Sequence, residues 1–370
     1  MKPFDIEKKL SLLHEQEYIL LTGNATAGIY LTLKAMGLEN KKIAIPNNVC
    51  MNVPIAVKLS NNSLKYLDIS KDTLGLSVES LKKNVKEIDV VIAVHSYGST
   101  CEIENIKKFC KNDDILLIED FAVAQGAKIN NKPVGSFGDV SVVSFGAGKI
   151  IDCGHGGAIL TNNKELFLEI VKVEEQLKIA TKKDREKISQ LGLLYKQLYN
   201  THYGTDIDNY IPVFQRKVED TQKTFLFKFD ENYRELIIRN LNELEDNIKR
   251  RGENAKKLLD VFKNRNCDEI IIFSPPPGAV YWRFNIFINK NRDNLLKQLL
   301  EKKYKVSSWY PSVDIYFESR IQSHVVTPLS DWVGDTILNL WVNQEVDDQY
   351  IHEITDDILS FVEGRRDEGR

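Results

Sequence analysis

The chain has 370 residues, 42% hydrophobic and 28% charged, with 50 Lys and Arg against 53 Asp and Glu. That length supports a large core and two domains. The balance of −3 removes the strong basic field expected of a nucleic-acid binder. The five cysteines, Cys50, Cys101, Cys110, Cys153 and Cys267, are scattered and form no Cys-x-x-Cys pair. This argues for reduced thiols in a cytosolic protein, and against a disulfide framework or a structural zinc. The N-terminal "MKPFDIEKKLSLLHEQEY" lacks the apolar core of a signal peptide, and no apolar run reaches the about 18 residues of a membrane span.

Strand and helix patterns alternate through the first half. "YILLT" (18–22), "KIAIP" (42–46), "LKYLDI" (64–69), "VVIAVHSYG" (90–98) and "ILLIED" (115–120) read as strands. "AGIYLTLKAMGL" (27–38), "NVPIAVKLS" (52–60) and "EIENIKKFCKN" (102–112) carry apolar residues at helical spacing. "DVSVVSFG" (139–146) and "GGAILTN" (156–162) add two strand-like runs. Such alternation predicts an α/β fold with a mostly parallel central sheet. From about 163 to 262 the pattern is helical and charged, and 231–262 is long enough to connect two domains. After the rigid "SPPPG" (274–278), "AVYWRFNIFI" (279–288), "RDNLLKQLLEKKY" (292–304) and "KVSSWYP" (305–311) predict a strand, a helix and a strand of a small α+β domain. The predicted division is 1–240 for the large domain and 241–370 for the small one.

Three features could carry chemistry. "LLTGNATAGIY" follows a strand and opens a helix, so its backbone N–H groups and the Thr26 hydroxyl suit a phosphate; a plain tight turn with a Thr cap is the alternative. Asp120 ends a strand, where ligands of open α/β sheets sit, and could hold a protonated ring nitrogen; Asp is also a preferred helix cap. Ser144 and Lys149 stand five apart with Gly146 and Gly148 between them. A lysine there can form a Schiff base with a carbonyl, or merely ride an exposed loop. Taken together, a phosphate cradle, an acid and a lysine meet the needs of pyridoxal 5'-phosphate.

"IEDFAVAQGAKINNKPVGSFGDVSVVSFGAGKIIDCGHGG" resembles the IEDAAQ-x-x-GA, G-x-x-GS-x-GD and FSF-x-x-x-K-x-x-x-x-G-x-GG segments of the DegT/DnrJ/EryC1/StrS family of fold-type I pyridoxal-phosphate aminotransferases. "LDISKDTLGLSVESL", "VHSYG" and "SSWYP" are similar to further family segments in the same order. The resemblance implies that Lys149 and Asp120 are catalytic. Lys149 would hold the cofactor as an aldimine and Asp120 would pair with its ring nitrogen. Ser144, Thr26, and Asn24 and Ala25 beside it would bind the phosphate. Cys50 replaces the aromatic residue stacked on the ring in many relatives. Val123 replaces the Gln or His usual three residues after the Asp, and Gln125 is expected to point elsewhere. His155 replaces the Glu of the GEGG segment, and the Asn-Tyr-Arg-Met segment has no clear match near 220–236. His155 and Arg283 are substrate candidates; a turn cap and a surface ion pair are their alternatives. His95 is read as a satisfied strand-end histidine, and Trp309 and Trp341 as core.

The resemblance further implies a cytoplasmic homodimer that moves an amino group from an amino-acid donor, glutamate in the first instance, to a keto-sugar. A nucleotide-linked sugar for a surface polysaccharide or related glycan is the expected acceptor. A small phosphorylated ketone, another reaction of the same cofactor, or a non-catalytic regulatory relative remain open. A nicotinamide dehydrogenase is least supported, because no GxGxxG follows a strand.

Overall fold

The computed structural model describes residues 5–200, 207–265, 267–318 and 325–364. Parts of two loops expected to shape the substrate site, 201–206 and 319–324, lie outside the described residues. The strands in chain order are β1 (Tyr18–Thr22), β2 (Lys42–Pro46), β3 (Ser63–Leu67), β4 (Val90–Val94), β5 (Leu116–Asp120), β6 (Lys128–Ile129), β7 (Lys132–Pro133), β8 (Val140–Ser144) and β9 (Gly157–Thr161). There follow β10 (Lys178–Ile179), β11 (Phe227–Lys228), β12 (Ile270–Ile272), β13 (Phe284–Ile288), β14 (Val306–Ser307) and β15 (Ile337–Leu340).

Nine strands form one sheet in the order β10-β11-β1-β9-β8-β5-β4-β2-β3. From β8 to β3 every neighbour is parallel. The sheet is therefore mostly parallel, as expected, with antiparallel pairings confined to the β11-β1-β9-β8 side. Strands β4, β8 and β9 are buried at every residue. The unbroken apolar run of β4 follows from this, because helices cover both faces of a parallel sheet. The helix Ile103–Asn112 shows the covering pattern, with Ile103, Ile106 and Cys110 buried at helical spacing.

The second sheet is antiparallel, in the order β12-β13-β15-β14. The helices Leu244–Arg265, Arg292–Glu301 and Asp348–Glu363 pack with it around a separate apolar cluster that runs from Ala255 to Val362.

Three sequence-predicted elements differ in extent. The helical stretch 231–262 is two helices, Arg234–Asn242 and Leu244–Arg265, with Glu243 leaving helical geometry between them. The strand expected over 279–288 begins only at Phe284, because the Trp282 indole N–H is held by Gly148 O at 2.6 Å and Arg283 bonds the Trp282 carbonyl. The strand expected over 305–311 stops at Ser307, where Asn339 Oδ1 takes the Trp309 N–H at 2.8 Å.

The two sheets meet where Val280 N donates to Gly98 O at 2.9 Å. Gly98 has φ +87, and a Cβ there would stand 2.1 Å from Val280 O. Both the left-handed backbone and the missing side chain are required. Gly98→Ala should therefore lower stability by about 2 kcal/mol or more. Gly252→Ala lies in a helix with nothing within 4 Å of its Cβ, and should raise stability by about 0.5–1 kcal/mol. Denaturant unfolding of the two variants checks both signs.

Candidate active site

Strand register gathers the candidate residues at one edge of the large sheet. Asp120 ends β5 opposite Val142 of β8. Ser144 ends β8 opposite Gly157 of β9, and Gly157 also faces Thr22, the last residue of β1. The Gly23–Thr26 turn, Asp120, Ser144 and His155 thus share the carboxyl edge, where open α/β sheets bind ligands.

The turn after β1 opens the helix Ala25–Ala35. Asn24 caps it: its Oδ1 accepts the Ala27 N–H at 2.7 Å and its Nδ2 donates to Phe225 O at 3.0 Å. The Asn24 side chain is therefore committed to the fold, and the cradle consists of the N–H groups of Ala25 and Thr26 with the Thr26 hydroxyl. Gly157 permits this approach, since a Cβ on it would lie 2.8 Å from Ala25 N. Across the gap, Ser144 Oγ accepts the Gly146 N–H at 3.2 Å.

Lys149 sits on a loop tied down on several sides. Gln125 Nε2 donates to Ser144 O at 2.6 Å, and its Oε1 accepts the Ile151 N–H at 3.1 Å. Gln125 does point elsewhere, as expected, and what it does is fix both ends of the lysine loop. Asp152 accepts the Gly148 N–H at 2.8 Å, and Asn247 Nδ2 donates to Ile150 O at 2.7 Å. Among the described residues Lys149 Nζ has neither a hydrogen bond nor an ion pair.

A cavity of about 450 Å³ opens between these elements, bordered by Thr26, Cys50, Ser144, Lys149, Trp309 and Tyr310. Asp120 lies just beneath it, close enough for its charge to act on Lys149, Cys50 and Tyr310. Burial pushes the Asp120 carboxyl up, against the Ala122 N–H at 2.9 Å and the Lys149 charge. Its neighbour His95 is satisfied, as expected: Nδ1 accepts the Cys101 N–H at 3.1 Å and Nε2 meets Glu119 Oε1 at 3.0 Å. Burial pushes the partly buried Cys50 thiol up, so it stays protonated beside the lysine.

These groups fit pyridoxal phosphate. The cradle and two hydroxyls suit the phosphate, a buried carboxyl suits a protonated ring nitrogen, and an unpaired amine suits the carbonyl. Cys50 supplies a polarizable flank.

His155 lines the same cavity and caps no turn. It stacks on Tyr233 at 4.2 Å and on Phe227 at 5.5 Å. Arg185, held by Asp230, faces its Nδ1 at 3.4 Å, which leaves the proton on Nε2. Arg283 lies elsewhere. It is 3% exposed, stacked on Trp341, and makes no surface ion pair. Trp309 and Trp341 are half-buried, not enclosed in the core: each packs against an apolar cluster on one side and borders a cavity on the other.

The family model of the DegT/DnrJ/EryC1/StrS aminotransferases matches residues 4–359. The chain belongs to this family. Among its relatives, GDP-perosamine synthase of Escherichia coli O157:H7 is 31% identical over 163 residues, 44% of this chain and 45% of that protein. The dTDP-4-amino-4,6-dideoxy-D-glucose transaminase of Shigella dysenteriae is 30% identical over 172 residues, 46% of each. Both matches span less than half of the relative's length. The fold is that of DesI, solved in the presence of its TDP-sugar product: TM-score 0.78, 19% identity, covering 98% of this chain and 86% of that one.

Set against the family pattern, one reading is corrected. Asn232-Tyr233-Arg234 does carry the family's Asn-Tyr-Arg triplet, with Glu235 in place of the methionine. The triplet was legible but hidden inside a helix-like charged run. Tyr233 lines the cavity beside His155, Asn232 is exposed, and Arg234 is spent on Glu7 and Glu231. The cavity wall formed by Ile188, Ser189 and Gly192 of the helix Lys182–Asn200 had no sequence signal beyond amphipathic spacing.

Burial and the Arg185 charge lower His155 from 6.5 to about 4. A folded-state value below the unfolded one stabilises above pH 6.5 and is lost as pH falls towards 4. The stability of wild type should therefore drop more steeply between pH 6.5 and 4 than that of His155→Gln, as read by thermal unfolding across that window.

Proposed function

We propose that this protein is a pyridoxal-phosphate-dependent aminotransferase. It moves an amino group from an amino-acid donor, glutamate in the first instance, to a nucleotide-linked keto-sugar used in a surface polysaccharide or related glycan. The observation that carries the proposal is the convergence on one cavity of an unpaired Lys149, a buried Asp120 and a hydroxyl-lined helix start. The sugar acceptor is supported by the relatives, whose names are those of nucleotide-sugar enzymes.

When bound, pyridoxal phosphate supplies a carbonyl that condenses with amines and a ring that draws off the electrons of a breaking C–H bond. The chain supplies the rest. Thr26 and Ser144 hold the phosphate with the N–H groups of Ala25 and Thr26. Asp120, whose carboxyl burial pushes up, would pair with a protonated ring nitrogen and would be ionised by that pairing. Lys149 Nζ, the unpaired amine of the site, would be the group that holds the carbonyl end and, as a free amine, the base placed to move the proton of the donor's α-carbon. Gln125 keeps the Lys149 loop in place while this proton moves. Trp309 and Tyr310 exclude water from one side. The reading includes a cytoplasmic homodimer; the exposed Asn232, next in the chain to the cavity residue Tyr233, is available to a second subunit.

A small phosphorylated ketone is the second reading. It is favoured by Cys50, which borders the cavity where many relatives carry an aromatic residue.

The test is the visible spectrum of purified protein with pyridoxal phosphate. A yellow band that glutamate bleaches is expected, and Lys149→Ala should show no such band. Asp120→Asn should keep the band and slow bleaching about a hundredfold, a loss of about 3 kcal/mol. Amine transfer to no keto-sugar would overturn the acceptor; no band in wild type would overturn the cofactor.

A further inference from the structure

Beside the lysine loop lies a second cavity of about 570 Å³, bordered by Lys149, Arg251, Arg283, Trp341 and Asn343. Lys149 borders both cavities, and consecutive residues divide between them: Trp282 lines the first and Arg283 the second. The floor of the second is two arginines, Arg283 at 3% and Arg251 at 4% exposure.

Their hydrogen bonds go to neutral groups. Arg251 Nε donates to Asn247 Oδ1 at 2.8 Å and Nη1 to Trp282 O at 3.1 Å. Arg283 Nη1 donates to the same carbonyl at 2.9 Å. Its guanidinium lies 3.7 Å from the Trp341 ring and 4.5 Å from the Trp282 ring. Arg283 Nε is buried with no partner, and among the described residues neither arginine pairs with a carboxylate.

This arrangement is unfavourable without an anion. A buried guanidinium costs several kcal/mol unless a counter-charge answers it, and here two stand together. Burial, with Arg251 beside it, lowers Arg283 to about 9, and burial lowers Arg251 to about 10. Both remain charged at neutral pH. Asp152 is the acid whose field reaches both, but its carboxylate is exposed and turned to the N–H groups of Gly148 at 2.8 Å and Gly154 at 3.1 Å. The other acids of the cavity, Glu243, Asp246 and Glu345, are exposed at its rim, where they outnumber the one exposed arginine, Arg250.

A cationic floor under an acidic rim selects among anions. A planar carboxylate matches the guanidinium fork between two indoles. A dianionic phosphate meets more repulsion at the rim, whereas the ammonium of an amino acid meets attraction there.

We propose that this second cavity docks the carboxylate of the amino-acid donor, with Arg283 as the binding residue and Arg251 as the positioning residue beside it. The proposal rests on the aminotransferase reading and names where its donor is held. Bound on Arg283, the donor lies against the loop that carries Lys149.

The test is calorimetric titration of the pyridoxal-phosphate-loaded protein with glutarate, a dicarboxylate with no amine to react, and separately with inorganic phosphate. Wild type should bind glutarate, and bind it tighter than phosphate. Arg283→Gln should weaken glutarate at least about tenfold, and Arg283→Lys less. Trp341→Leu, which keeps both charges, should weaken it a few-fold. The yellow band and the melting temperature report that each variant is folded and loaded. Steady-state kinetics should show a raised KM for glutamate in Arg283→Gln with kcat little changed. A loaded wild type that ignores glutarate, a folded Arg283→Gln that binds it equally, or phosphate binding as tight as glutarate each overturns the proposal. A wild type without the band overturns the aminotransferase reading, and the donor assignment with it.

Discussion

The site depends on one buried carboxylate. Glu119 is fully enclosed, yet it accepts the N–H groups of Gly135, Phe137 and Gly138, the Ser141 hydroxyl and the proton of His95. Burial alone would push Glu119 up, but the bonds from His95 and the backbone hold it below the ordinary carboxylate range. A carboxylate so heavily donated to stays ionised in the interior. It ties β5 to β8 through Ser141, to the strand end at His95, and to the loop 135–138. Asp120 is the next residue, so its position is set by the same anchor. The backbone ladders set the register of β4, β5 and β8 at this edge, and Glu119 adds the side-chain ties that hold the loop 135–138 and His95 to it.

The second sheet completes what the first begins. Its Trp282 holds Gly148 O, its Tyr310 N–H bonds the Tyr97 hydroxyl at 2.9 Å, and its Val280 closes on Gly98. The lysine loop is thus gripped from the large sheet by Gln125 and from the small one by Trp282. Packing of the two units and geometry of the site are the same set of contacts, so a change in one carries to the other.

Electrostatics separate the two cavities that Lys149 borders. Around the first, burial keeps groups neutral: the Cys50 thiol and the Tyr310 hydroxyl are pushed up, and His155 is pushed down. Under the second, two arginines stay charged at neutral pH, since burial lowers them only to about 9 and about 10. A hydrophobic, hydrogen-bonding space and a cationic one therefore stand on either side of one amine.

The sequence by itself determined the parallel half of the large sheet. Apolar runs such as "VVIAV" have one stable use, burial on both faces, and each is short enough to be a strand. It also singled out Thr26, Asp120, Ser144 and Lys149 as candidates, because strand ends and glycine turns are features that local pattern reveals. Tertiary structure decided the rest. Asn24 reads as a cofactor ligand until the Ala27 N–H and Phe225 O are seen to occupy it. Arg283 reads as a surface partner until two indoles, one 58 residues away along the chain, enclose it. The break at Glu243 and the one- or two-residue pairings of β10 and β11 have no periodicity long enough to read. Such features depend on which distant group reaches a given atom first, and that is fixed only when the sheets have closed on each other.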